Sequence, residues 1–125
     1  MKYRVVKRYK YQLTESFNVD VDILPDVYIH TNFLDLSRHG DLIIKEGYAW
    51  DGPSGPTIDT ESWMRGSLVH DALYQLLRLK LIDPRHKQYA DDLMRRYCLE
   101  DGMCQFRAWY SHLAVKWFGG RVLKP

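Results

Sequence analysis

The chain has 125 residues, of which 46% are hydrophobic, and this is enough for one globular domain that buries its own core. Its 18 basic and 16 acidic residues are interspersed and leave a net charge of +2, so there is no specific signal for nucleic acid or for an anionic membrane. The apolar stretches are far shorter than a membrane span, and we expect no transmembrane segment.

The first half of the chain is typical of β-strands. Side chains alternate between an aromatic and a basic face over residues 3–13, and between an apolar and an acidic face over residues 17–23. Pairing the two segments as a hairpin would place two basic side chains near two acidic ones: Arg8, Lys10, Asp20 and Asp22. We prefer this cross-strand pairing to a nucleic-acid-binding strip. Two further strands are predicted over residues 27–31 and 41–45.

The second half is typical of helices. After a glycine- and proline-rich loop over residues 47–60, helical spacing of apolar residues predicts a helix over about residues 61–79, with Asp59 or Thr60 as its cap. Asp83 and Pro84 predict the start of a second helix, which ends at Gly102. A third is predicted over about residues 104–118, ending at Gly119 and Gly120. The short link between the first two helices predicts an antiparallel pair.

These elements predict an α+β fold in a single domain, residues 1–125. An N-terminal antiparallel β-meander (1–46) would pack on two or three helices (61–125), with the loop (47–60) between them. Cys98 and Cys104 are predicted to be reduced, buried thiols, because we expect no secretory signal and the chain has no dense cysteine framework. A disulfide across the turn that separates them is the alternative.

A candidate site is predicted from the helical spacing. His70 and Tyr74 share one helix face, and in an antiparallel pair Asp91 of the second helix lies opposite His70. A carboxylate there would fix the histidine tautomer and leave the other ring nitrogen free as a base. Asp71 would point toward the loop that contains Asp51, where a carboxylate and loop carbonyls could hold a hard cation, for which calcium is the candidate.

Three motifs resemble the core of the bacterial type of phospholipase A2: WDGPSGP, HDALY and RHKQYADDL. The resemblance implies that His70 activates water, Asp91 orients His70 and Asp71 binds calcium. It also implies that Trp50, Gly52 and Gly55 lie in a loop that offers backbone oxygens to the ion and an amide to the oxyanion, with Tyr74 in support.

The whole-chain pattern resembles a small bacteriophage and prophage domain family of unknown function, numbered thirteen-fifty-three. The shared features are the GY-x-WDGPSGP loop, HDALY, the arginine-to-AD step and a C-terminal helix that closes in a glycine. This resemblance implies a phage origin, with synthesis in the host cytoplasm and association with the virion as a further expectation.

Structural interpretations stay open for each candidate residue. His70 could be a core histidine with Asp71 facing solvent, and Asp92 is expected to be a solvated helix residue. Arg85 could form an ion pair with Asp91 or Asp59, and Asp51 could be a turn residue. The other histidines show no metal-ligand spacing: His30, His39, His86 and His112.

The third helix carries an aromatic stripe that is expected to pack on the sheet, with a lipid- or partner-binding face as the alternative: Phe106, Trp109, Tyr110, Leu113 and Trp117. The functional expectation is a calcium-dependent, phospholipase A2-like hydrolase of lipid esters. The alternative is a non-enzymatic virion or accessory protein that binds a phage or host protein.

Overall fold

The computed structural model describes residues 1–7, 10–51 and 60–123. The chain forms two compact units, Met1–Asp51 and Gly52–Pro125, and each is described by itself. The first unit contains two antiparallel sheets and the second contains three α-helices, so the predicted α+β class is confirmed. No helix in the described part of the chain is long and apolar enough to cross a membrane.

The first sheet has the strand order β1-β2-β7, with β1 at Tyr3–Lys7, β2 at Lys10–Leu13 and β7 at Ala49–Asp51. The second has the order β3-β6-β5-β4. Its strands are β3 (Phe17–Asp20), β4 (Ile29–His30), β5 (Leu34–Leu36) and β6 (Asp41–Ile44). Leucine and isoleucine side chains from β2, β5 and β6 are fully buried in the core of this unit: Leu13, Leu34, Leu36, Leu42 and Ile44.

The predicted single strand over residues 3–13 is wrong, because this segment is itself a hairpin. Tyr3 pairs with Leu13 and Val5 pairs with Tyr11. Cross-strand partners in a hairpin lie on the same face of the sheet, so the alternation of side chains persists through the reversal. The sequence pattern therefore could not distinguish one long strand from two short ones.

The predicted pairing of this segment with residues 17–23 is wrong for a related reason. β3 pairs with β6, which places Asp20 opposite Asp41, while Lys10 lies opposite Asp51 of β7. Arg8 and Asp59 lie outside the described residues. The predicted pairing joins strands that are neighbours in sequence. The observed sheets instead pair strands that are distant in sequence, β2 with β7 and β3 with β6.

A short strand, β7, lies in the segment predicted to be a loop. Tyr48 and Trp50 are buried, whereas Ala49 and Asp51 are exposed. This alternation is typical of a half-buried strand and was hidden by the glycines and prolines that come after it. The Trp50 ring packs against Tyr3 and Tyr11, at centroid distances of 6.0 and 5.8 Å.

The helical unit consists of α1 (Thr60–Arg78), a 3₁₀ turn (Pro84–His86), α2 (Lys87–Glu100) and α3 (Gln105–Leu123). Asp83 caps the 3₁₀ turn as predicted, since its carboxylate accepts a hydrogen bond from the Arg85 amide at 2.8 Å. The backbone of α3 continues through Gly119 and Gly120, so the predicted stop there is wrong. Glycine weakens a helix but does not by itself end one.

The first two helices are antiparallel, as predicted. Arg65, near the start of α1, forms a bidentate ion pair with Asp101, just beyond the end of α2. Tyr74, nearer the end of α1, contacts Asp91 in the first half of α2. The helices approach closely at Gly66, where an added Cβ would lie 2.9 Å from the Cys98 sulfur and 3.0 Å from the Met94 carbonyl oxygen. This approach sets the distance across which α1 and α2 side chains meet.

Gly102 terminates α2 in a left-handed conformation, with a φ of 102°. The Met103 amide donates to the Cys98 carbonyl and the Gly102 amide donates to the Leu99 carbonyl, so the last turn closes in a Schellman motif. Cys98 and Cys104 are both free, as predicted, but only Cys98 is buried; the predicted burial of Cys104 is wrong, because this residue lies beyond the end of α2 and is exposed. Burial raises the pKa of the Cys98 thiol to about 12, so this thiol stays protonated at neutral pH.

Candidate functional site

The side chain of Asp91 is the centre of a buried polar network between α1 and α2. It is 1% exposed and accepts three hydrogen bonds from side chains. His70 Nε2 lies 2.8 Å and the Tyr74 hydroxyl 2.6 Å from Oδ1, and Lys87 Nζ lies 2.8 Å from Oδ2. The predicted meeting of His70 and Asp91 is therefore observed, and Tyr74, which shares the helix face of His70, also reaches Asp91.

The network forms because helix geometry brings each donor to the same carboxylate. His70 and Tyr74 are one turn apart on α1, and their rings lie 4.0 Å apart between centroids. Lys87 precedes Asp91 by one turn on α2, in the i, i+4 arrangement. Two elements of secondary structure thus fix three donors around one acceptor.

The surroundings keep Asp91 ionised. Burial raises the pKa of its carboxyl, but the hydrogen bonds from His70, Lys87 and Tyr74 outweigh this effect, and the pKa lies below its usual value. Burial and the neighbouring Asp91 charge raise the pKa of the Tyr74 hydroxyl, which therefore stays protonated and donates to the carboxylate. Asp91 acts as an acceptor toward all three partners.

His70 lies between two carboxylates. Because ionised Asp91 can only accept, Nε2 carries the proton of that hydrogen bond, and in neutral imidazole the lone pair is on Nδ1. Nδ1 lies 3.8 Å from Asp71 Oδ1, which is too long for a direct hydrogen bond. Burial opposes charge on the ring, but Asp71 and Asp91 outweigh it and raise the pKa of His70 above its ordinary value.

Lys87 was missed in the sequence, where Arg85 was expected to form an ion pair with Asp91 or Asp59. Arg85 is exposed, and among the described residues it forms no ion pair, whereas Lys87 takes that position. The Arg85–Asp91 pair is therefore not observed, whereas Asp59, the other expected partner, lies outside the described residues. The signal was present in the chain, since a lysine four residues before an aspartate on a helix is a recognised ion-pair spacing.

Asp92 lies at the surface, as predicted, with its side chain 53% exposed. The prediction did not include its partner: His112 Nε2 of α3 lies 2.6 Å from Asp92 Oδ1. Two consecutive aspartates of α2 therefore each contact a histidine, one on α1 and one on α3. No pattern within α3 distinguished His112 in the sequence from the other surface histidines.

The described residues do not form a calcium site on their own. No group of three or more histidine, cysteine, aspartate or glutamate side chains within the described ranges is placed to hold a metal ion. The side chain of Asp71 is 36% exposed and could offer one oxygen ligand. Gly52 and Gly55 lie outside the described residues, and Trp50 and Asp51 belong to β7 of the sheet unit.

Comparison with known proteins identifies no relative. No family model, no curated protein and no solved structure matches the chain. The resemblances to phospholipase A2 and to the phage domain family therefore stay predictions. A functional proposal for this chain depends mainly on the geometry of the Asp91 network.

Proposed function

We propose that the helical unit hydrolyses an ester and that His70 is the base that deprotonates the attacking water. The observation that carries this proposal is the 2.8 Å hydrogen bond between His70 Nε2 and Asp91 Oδ1 inside a buried network. A carboxylate in this position fixes the tautomer of the ring and stabilises the imidazolium that forms when the ring accepts a proton.

The proposed proton transfer uses only side chains of the helical unit. With Nε2 donating to Asp91, Nδ1 can take a proton from water, and the resulting positive charge lies beside the Asp91 and Asp71 carboxylates. Tyr74 and Lys87 hold Asp91 in place from its other lone pairs. Asp91, Tyr74 and Lys87 are therefore positioning residues, and His70 is the catalytic residue.

The substrate class comes from the resemblance to phospholipase A2, and we propose a lipid ester as the first substrate to test. Calcium belongs to the proposal only through Asp71, because no group of three or more histidine, cysteine, aspartate or glutamate side chains in the described ranges could hold a metal ion. If calcium binds, it would polarise the ester carbonyl. The proton transfer assigned to His70 does not depend on that ion.

The test compares His70→Gln with His30→Gln. Both replacements remove a histidine that is hydrogen-bonded to an aspartate, but His30 lies in the sheet unit, bonded to Asp35. Release of fatty acid from short-chain phosphatidylcholine would be followed by titration, with added calcium or with a chelator. Circular dichroism would check that each variant is folded.

We expect His70→Gln to lose hydrolysis by about a hundredfold or more, the usual contribution of a general base, while His30→Gln retains it. Equal loss in both variants, or no hydrolysis by the wild-type protein under any of these conditions, would reject the proposal. An unchanged wild-type melting temperature on addition of calcium would remove calcium from it.

The alternative function is a non-enzymatic virion or accessory protein that binds a phage or host protein. It is favoured by the exposure of two aromatic side chains on α3, Phe106 at 71% and Trp109 at 47%, whose rings lie 6.2 Å apart. An inactive wild-type protein that is detected by mass spectrometry in purified virions would support this alternative. Its absence from virions, together with hydrolysis that depends on His70, would reject it.

A further inference from the structure

A pocket of about 370 Å³ lies within the helical unit, beside the network but separate from the His70 ring. Its described lining comes from the 3₁₀ turn, the first half of α2 and α3: Pro84, Arg85, Lys87, Gln88, Asp91, Asp92, His112 and Lys116. Asp91 and Lys87 belong to both the network and the pocket. This volume could hold a group of a few heavy atoms, such as a phosphate with a short substituent.

The two carboxylates of this pocket already accept hydrogen bonds from side chains of the protein. Asp91 accepts from His70, Tyr74 and Lys87, and Asp92 is bonded to His112 at 2.6 Å. Both carboxylates therefore have protein partners in the absence of a ligand. Their presence in the lining does not make the pocket a cation site.

The cationic side chains of the pocket have fewer partners of opposite charge than the carboxylates have. Arg85 and Lys116 are both exposed, and neither forms an ion pair with a residue in the described part of the chain. Lys87 donates to Asp91 and to the Lys116 carbonyl oxygen, at 2.8 and 3.3 Å. The first turn of α2 contains no acidic residue.

We propose that this pocket binds a phosphate group, either free or as a phosphate ester. A guanidinium presents parallel N–H donors that match two oxygens of a phosphate, and the lysine ammonium groups supply charge to the others. Arg85 and Lys116 come from different elements, so an anion between them would be held from two sides. Gln88 could add an amide donor. The proposal does not rest on ester hydrolysis, because it uses neither His70 nor Asp71, and Arg85 and Lys116, the two cations that its test replaces, lie outside the Asp91 network.

The central test replaces the two uncompensated cations together, in the variant R85Q/K116Q, and measures binding by isothermal titration calorimetry. The matched control is R38Q/R78Q, which removes the same charge at two exposed arginines outside the pocket. The probes are inorganic phosphate, glycerol 3-phosphate, and vesicles of phosphatidylglycerol or phosphatidylcholine tested by cosedimentation. All four substituted side chains are exposed, and circular dichroism would confirm that both variants are folded.

We expect saturable binding of at least one phosphate-bearing probe, weakened about tenfold or more in R85Q/K116Q and little changed in R38Q/R78Q. Binding of the soluble phosphates would identify a free phosphate or phosphate ester as the ligand, and binding of vesicles alone would identify a lipid head group. Equal weakening in the two variants would show that binding depends only on net charge. That result, or the absence of binding to every probe, would overturn the proposal.

Discussion

Two clusters in this chain use the same chemistry in different surroundings. In the helical unit, Asp91 accepts hydrogen bonds from a histidine, a tyrosine and a lysine. In the sheet unit, Asp35 is bonded to the same three types of side chain: His30 at 2.8 Å, Tyr28 at 3.0 Å and Lys45 at 3.1 Å. The set of partners is therefore not what distinguishes the two sites.

The difference lies in how deeply the partners are buried. The His70 side chain is 9% exposed, whereas the His30 side chain is 69% exposed. The His70 and Asp91 side chains themselves are only 9% and 2% exposed, so each hydrogen bond and charge between them has a large effect on its neighbours. Around Asp35, water can replace a lost partner. The same set of groups is thus expected to control stability and protonation in the helical unit more than in the sheet unit.

The largest expected effect is on stability, from replacing each aspartate by asparagine. Asp91→Asn removes the charge that compensates Lys87 and holds His70, and breaking such a buried pair typically costs about 3–5 kcal/mol. Asp35→Asn should cost about 1 kcal/mol or less, because its partners stay hydrated. Urea denaturation of both variants at pH 7 would measure the two free energies of unfolding.

Urea denaturation of the same variants at acid pH provides a control. The pKa of Asp91 is lowered by its hydrogen-bond donors, so its contribution is present above the ordinary aspartate range, near pH 4, and is lost as the pH falls through the folded value. The gap between wild type and Asp91→Asn should therefore narrow in acid. If the two variants lost the same free energy of unfolding at pH 7, the difference in burial would not make the Asp91 network more important for stability than the Asp35 cluster.

The next effect comes from changing the separation of the helices that carry the Asp91 network. In Gly66→Ala, the new methyl group would lie within 3.0 Å of Cys98 and the Met94 backbone, and overpacking of this kind costs about 1–3 kcal/mol. We expect the NMR signals of His70 to shift while those of His30 do not. Gly102→Ala is a useful comparison, because its Cβ would meet nothing within 4 Å and any loss would come from the positive φ alone.

How much of this arrangement could be predicted depends on the distance in the chain over which each contact forms. The His70–Asp91 contact was predictable from helical spacing and a short link, which are local features, and Asp83 indicated where the second helical segment starts. The strand order was not predictable, because the alternation of Tyr3, Val5, Tyr11 and Leu13 is the same in one strand as in a hairpin. The Asp92–His112 contact depends on how α3 lies against α2, which no local pattern specifies.

A smaller effect is expected from removing one hydroxyl from each cluster. Tyr74→Phe keeps the ring beside His70 but leaves Asp91 with one donor fewer, and a hydrogen bond to a charged group contributes about 1.5–3 kcal/mol. Tyr28 is 53% exposed, so water can replace its hydroxyl and Tyr28→Phe should leave the free energy of unfolding unchanged within error. Thermal denaturation of both variants would test this, and a larger loss in Tyr28→Phe would contradict it.

The smallest expected effect, and the most specific, is on the protonation of His70 after the replacement Lys87→Met. The methionine keeps most of the aliphatic packing of the lysine but removes a positive charge from Asp91 Oδ2. The Asp91 charge then acts on His70 with less compensation, so the pKa of His70, already above its ordinary value, should rise further. The stabilisation from protonated His70 is fully present below the histidine pKa of the unfolded chain, and it is lost as the pH rises through the His70 pKa of the folded protein. A higher folded pKa should therefore extend the pH range of this stabilisation upward.

An NMR titration of the His70 ring protons would measure that shift directly. Any hydrolytic activity that increases with pH as His70 loses its proton should then increase at a higher pH than in the wild type. Lys45→Met is the matched control, because it removes the corresponding lysine from Asp35 and should leave the His70 titration unchanged. A fall in the His70 pKa in Lys87→Met would contradict this charge argument, and it would mean that water reaching Asp91 screens the carboxylate charge more than the loss of the lysine exposes it. In that case Lys87 would act mainly by covering Asp91, and the contrast between the two clusters would come from packing alone.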